Sequence, residues 1–487
     1  MASSLNLATL KTPGVYLEEI QLFPPSVVQV DTAIPAFIGY TAIAKDKVDD
    51  DLINVPKRIK SLLEFEIYFG FAEPEGDSIT VTIDITNTGI KAIAAIDPVK
   101  RSKHILYYAL QLFYANGGGI CHIVSVGKFS DSVALGTPTS TGLLRGLSEI
   151  EKIDEPTLLV FPESYTMENA NIASLYNEAL IQADKLSDRF VIMDAMRDTD
   201  ATSNALDAVF NASDFFRGNA TLPAGRVGNI NLKYGASYTP FLVTNIQFRN
   251  SIESLVNVIV NRVSPAAATS NVKLDDALIT SDLKSKAILA IENLENILPP
   301  SAAIAGIYAS VDNNRGVWKA PANVSLNSVI KPTHHISDAD QEDLNVSPTG
   351  KSINAIRSFT GKGILVWGAR TLAGNDNEWR YVSVRRFFIM VEESVKKATI
   401  PFVFESNDAN TWVRIRAMIE NFLTLQWRAG ALAGAKPDDA FYVKVGLGQT
   451  MTAVDILEGR MIIEIGMAVV RPAEFIVLRF AHKMQES

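Results

Sequence analysis

Residues of catalytic type are present in this chain, but their spacing denies them the familiar chemistries. Gly350, Lys351 and Ser352 resemble the end of a phosphate-binding loop, yet Asn345 stands where the leading glycine is required and no apolar strand runs into the segment. Asp338, Asp340, Glu342 and Asp343 lie near His334 and His335, but the central glycine of a calcium loop is missing, and a solvated polar segment is expected. Cys121 and His122 are neighbours on a predicted strand, so their side chains point to opposite faces and form no dyad. His104 falls in a helix context, the glycines 117–119 precede a strand instead of joining strand to helix, and no serine sits in a G-x-S-x-G elbow. No catalytic residue, cofactor or metal site is therefore assigned.

The elements around these residues indicate an α/β to α+β, multidomain chain, with mixed sheets flanked by helices. At 487 residues, one core is too little. A βαβ unit spans 157–194: two apolar runs enclose Ile172, Leu175, Tyr176, Ala179, Ala183 and Leu186 at helical spacing, so the strands should be parallel neighbours. Strands are also expected at 34–40 and 120–126, and helices at 101–115, 203–216 and 285–297. A β-rich insertion is read at 72–100. The expected division is an N-terminal arm at 1–30, an N-terminal and middle region at 31–325, a linker at 326–350, a C-terminal domain at 351–468 and a C-terminal arm at 469–487.

A net charge of −9 argues against nucleic acid as the main partner. The single cysteine excludes an intrachain disulfide and suits a reducing compartment. The N-terminus has no basic start followed by an apolar stretch, and no apolar run approaches the roughly 18 residues of a membrane span, so no membrane insertion is expected.

Several widely separated segments resemble the tail sheath family of contractile phages and related injection systems. They are TPGVYLEEI (12–20), ANGGGICHIVSV (115–126), AGIYASVDNNRGVWKAPAN (305–323), RSFTGKGILVWGARTL (357–372), WRYVSVRRFFIMVEESV (379–395), the stretch 402–445 and EGRMIIEIGMAVVRPAEFIVLRF (458–480). The loop after Val445 departs from the family pattern.

The resemblance implies a subunit that stacks as six-fold rings around an inner tube, waits in an extended state and contracts on a signal from the baseplate. It also implies extended N- and C-terminal β arms exchanged between subunits, middle regions facing outward and a C-terminal domain lying against the tube. Tail-terminator or cap proteins complete the implied partners, with assembly in the bacterial cytoplasm and release by lysis. The arm strands are then Val15, Tyr16, Leu17, Glu18 and Ile20 at one end and Phe475, Ile476, Val477 and Leu478 at the other. A helix near 409–428 would turn Asn410, Arg414, Asn421 and Arg428 towards the tube, with Trp412, Ile415, Ile419, Phe422 and Leu423 on its apolar stripe. The alternative is a soluble α/β enzyme or ligand-binding protein whose terminal strands complete its own sheet.

Overall fold

Short apolar runs alternating with amphipathic helices are the pattern of parallel strands buried on both faces. The computed structural model describes residues 26–195, 227–249, 253–262, 268–346 and 349–479. These divide into two compact units: 31–390 with the stretch from Arg471, and 391–470 with the residues up to Val30.

The larger unit begins with β1 (Pro35–Thr41), β2 (Lys57–Ile59), α1 (Leu62–Phe69), the hairpin β3 (Ile79–Thr86) and β4 (Gly89–Ile96), α2 (Leu106–Ala115), β5 (Cys121–Lys128) and α3 (Leu143–Ile150). There follow β6 (Leu158–Val160), α4 (Asn169–Leu186), β7 (Phe190–Asp194), β8 (Gly235–Thr239), β9 (Leu242–Thr244), β10 (Asn257–Arg262) and β11 (Ala268–Lys273). Next come α5 (Ser281–Glu292), β12 (Asn296–Leu298), α6 (Ser301–Arg315), β13 (Val324–Ser325), β14 (Val329–Pro332), α7 (Asp338–Asn345), β15 (Asn354–Phe359), β16 (Gly363–Val366) and the first part of α8 (Val382–Thr399).

The main sheet has the order β13-β16-β15-β8-β7-β6-β1-β5-β2. From β15 through to β5 the strands run parallel, and antiparallel strands close the two edges. Helices α2 and α6 pack together over β1, β6 and β7, while α3 and α4 pack against β1, β5 and β7, as in a doubly wound fold. Two glycines let helices approach closely: a Cβ on Gly306 would lie 2.5 Å from the Phe113 carbonyl oxygen, and one on Gly146 would lie 2.4 Å from Ile38. The β6-α4-β7 unit is parallel as expected, with Leu159 opposite Val191.

The expected insertion proves to be half of a composite sheet, ordered β11-β10-β3-β4. Strand β10 pairs in parallel with β3, Val258 opposite Val81, and α5 covers the apolar face through Leu283, Ala287 and Ile291. The helix expected at 285–297 stops at Glu292, because 296–298 is drawn into pairing with β9 as β12. The helix expected from 101 starts at Leu106. The segment 326–350, expected as a linker, instead carries β14 and α7; Ser337 and Asp340 form a capping box that starts the helix, and Leu344 buries it. Strands β15 and β16, assigned from sequence to the C-terminal domain, belong to the main sheet. The helix expected at 203–216 lies outside the described residues.

The smaller unit contains the end of α8, α9 (Ala409–Arg428), α10 (Pro437–Ala440), β17 (Phe441–Lys444), α11 (Ala453–Leu457) and β18 (Glu464–Met467). Its sheet is the antiparallel pair β17 and β18, Val443 opposite Ile465, which no third strand joins among the described residues.

Candidate functional site

In an open parallel sheet, ligands bind beyond the carboxyl ends of the strands, where the strand order reverses. Here that reversal lies at β1, flanked by β5 and β6, and the space is stoppered from within. Glu163 follows β6, is wholly buried, and accepts hydrogen bonds from the backbone N–H groups of Tyr40 (2.8 Å) and Leu106 (3.2 Å), the latter opening α2. Burial pushes its carboxyl up to about 8, against the opposing pull of those N–H donors. Asp194 ends β7 and accepts from Ser301 N at 2.7 Å, capping α6; burial pushes it up to about 7. The positions an anionic ligand would use at helix N-termini are thus taken by the chain's own carboxyl groups. Sequence reasoning missed both, because each is a single acidic residue after an apolar run and only the fold brings a helix terminus to it.

The residues weighed first are engaged structurally. Lys351 is buried with its Nζ on the Val227 carbonyl, and Ser352 Oγ donates to the Asn345 carbonyl at 2.6 Å. His122 Nε2 meets Glu155 at 2.7 Å, and burial lowers the pKa of the ring. Burial pushes the Cys121 thiol up to about 12, far from a reactive thiolate. Among the described residues, no group of three or more His, Cys, Asp or Glu side chains could hold a metal ion. No described helix is long and apolar enough to cross a membrane.

Helix α9 starts where Asp408 accepts from Thr411 N at 3.0 Å, and it gives way to Gly430 at φ +88°. Ile415, Met418, Ile419, Phe422 and Leu423 form its buried stripe. Trp412, read as part of that stripe, is only half-buried, because its Nε1 donates to Asn407 Oδ1 at 2.7 Å. Asn410, Arg414, Asn421 and Arg428 are all exposed and share the opposite face. Arg414 pairs with Glu405 at 3.4 Å and lies over the Phe402 ring, while Arg428 has no ion-pair partner among the described residues.

Of the predicted arm strands, Val15, Tyr16, Leu17, Glu18 and Ile20 lie outside the described residues. Phe475, Ile476, Val477 and Leu478 are 72–78% exposed and pair with no strand among the described residues. Two buried arginines hold Thr32, just after the predicted N-terminal arm, and Glu474, within the predicted C-terminal one. Arg386 Nη2 holds Asp312 at 2.6 Å and the Thr32 carbonyl at 2.8 Å; Arg370 holds both carboxylate oxygens of Glu474.

A doubly wound body whose switch point is filled by its own carboxyl groups, an exposed apolar tail and an exposed polar helix face define the class: an α/β subunit with surfaces suited to assembly. Residues 136–372 match the phage tail sheath protein central domain, and 374–483 the phage tail sheath C-terminal domain. A chain in the baseplate of the anti-feeding prophage is 31% identical, with 98% of this chain and 100% of that one covered and a TM-score of 0.62. A chain of the anti-feeding prophage helical sheath in its contracted state is 30% identical, with coverage of 98% and 100% and a TM-score of 0.63. The tail sheath protein of Burkholderia phage BcepMu is 28% identical over 149 residues, so the aligned part spans 31% of that protein and 30% of this chain. The chain belongs to the contractile tail sheath protein family, a family of structural subunits of phage tails and phage-like injection systems.

Proposed function

We propose that this subunit polymerises with copies of itself as stacked six-fold rings around an inner tube, waits in a metastable extended state, and contracts on baseplate triggering to drive the tube through a target envelope. One observation carries the reading. The sheet of β17 and β18 has open outer edges among the described residues, while the same polypeptide presents an unpaired apolar run at 475–478. Two-stranded sheets are marginal alone, and an acceptor edge and a donor strand on one chain make a head-to-tail contact that repeats into rings or helices. Likeness to chains of a contracted helical sheath and of a baseplate supports self-assembly and a baseplate partner.

On this reading Val15, Tyr16, Leu17, Glu18 and Ile20 form the second donor strand. Residues 31–325 face outward, and the C-terminal domain turns Asn410, Arg414, Asn421 and Arg428 of α9 to the tube. Tail-terminator or cap proteins end the polymer. The subunit performs no catalysis and inserts in no membrane; the energy of the stroke lies in the difference between two packings of the same subunits. Assembly takes place in the bacterial cytoplasm, with release by lysis. Deleting 475–487 should leave a folded subunit that forms no tubes or rings by electron microscopy, and deleting 1–20 should do the same. Ordinary sheath from both deletions would end the strand-exchange reading.

A further inference from the structure

The apolar tail carries no polar–apolar register signal of its own. In an exchanged strand Phe475 and Val477 face one side and Ile476 and Leu478 the other. Both sides are apolar, so a slip of one residue swaps two sets alike in polarity and different in shape, and the polar–apolar alternation that ordinarily fixes register is silent.

Glu474 immediately precedes this run and is held in one place. Its carboxylate accepts from Arg370 Nε at 2.9 Å and Nη2 at 2.6 Å, and from the Tyr381 hydroxyl at 3.2 Å. The arginine is itself fixed: Nη1 donates to the Asn345 carbonyl at 2.9 Å, and its backbone N–H and carbonyl both bond the Asn354 amide at 2.8 Å. The Arg370 side chain is 4% exposed and that of Glu474 18%, so the pair is largely shielded from water. A forked, two-bond contact defines position far more finely than the strand rise of about 3.3 Å per residue. A one-residue shift would present Ala473 or Phe475 to the guanidinium. Buried ion pairs are a poor source of stability compared with apolar packing, and their best-attested use is to fix register.

We propose that Glu474 is the register-setting residue of the C-terminal arm: Arg370 and Tyr381 pin it to the subunit's own body, and the pin decides which side of 475–478 meets which surface of the neighbouring copy. The inference rests on the strand-exchange reading above.

The test is a double-mutant cycle on the full chain, with sedimentable sheath counted by electron microscopy and folding checked by thermal melting. One alanine inserted between Glu474 and Phe475 should lower sheath yield about tenfold or more in the parent, and the same insertion in Glu474→Gln should cost almost nothing further, because an unpinned arm slides to compensate. Equal losses in both backgrounds, or no loss in the parent, would overturn the pin. Should Glu474→Gln fail to fold, Tyr381→Phe takes its place in the cycle, with partial suppression expected and full additivity overturning the proposal. Sheath formed by the 475–487 deletion would defeat exchange of the C-terminal strand, on which the pin rests, a result distinct from either cycle outcome.

Discussion

The main sheet and the β17–β18 sheet solve opposite problems. In the main sheet β1, β5, β6 and β7 are buried on both faces, and beyond the strand ends the N–H groups that open α2 and α6 are met internally by Glu163 and Asp194. In the smaller sheet the pair β17–β18 keeps open edges among the described residues, Tyr442 is 44% exposed, and elsewhere in the chain the apolar run 475–478 is 72–78% exposed. Strands buried on both faces and helix starts met from within make a body whose core is closed on itself. Unsaturated edges make a part that is finished by a neighbour, and an exposed edge is an aggregation hazard unless it has a specified partner.

The contrast can be broken most forcefully in the main sheet. Phe37 is wholly buried and meets Phe113 edge-to-face at 5.1 Å. Phe37→Ala should cost about 3–5 kcal/mol, read as a large fall in denaturant midpoint. Glu163 sharpens it next. Its folded carboxyl near 8 lies above the ordinary 4.5, so its contribution is fully present below 4.5 and is lost as pH rises through 8. The melting temperature of the parent should fall across that window, and Glu163→Gln should flatten the fall. In the tail, Val477→Asp should remove about 1.5–3 kcal/mol from each subunit contact and abolish sheath, while the melting temperature of the isolated subunit stays put. The smallest effect belongs to α9. Reversing Arg414 and Arg428 to glutamate should weaken tube co-sedimentation by about 0–1 kcal/mol per pair, most visibly at low salt, without changing the melt. Loss of folding from either surface variant would erase the distinction between the two regions.

Local pattern determined much of this protein by itself. The apolar runs at 34–40 and 157–161, and the helical spacing from Ile172 to Leu186, gave strands and a helix whose parallel unit stands in the fold, since burial on both faces leaves a local hydrophobic signature. The exposed face of α9 was legible for the same reason, one helix turn at a time. Only the tertiary structure decided where distant partners lie: β10 beside β3, 296–298 as a strand on β9, α7 in a stretch rich in polar residues, and Arg370 on Glu474, 104 positions along the chain. These pairings are set by long-range packing and by polar groups finding one another in a low-dielectric interior, and neither leaves a period in the sequence.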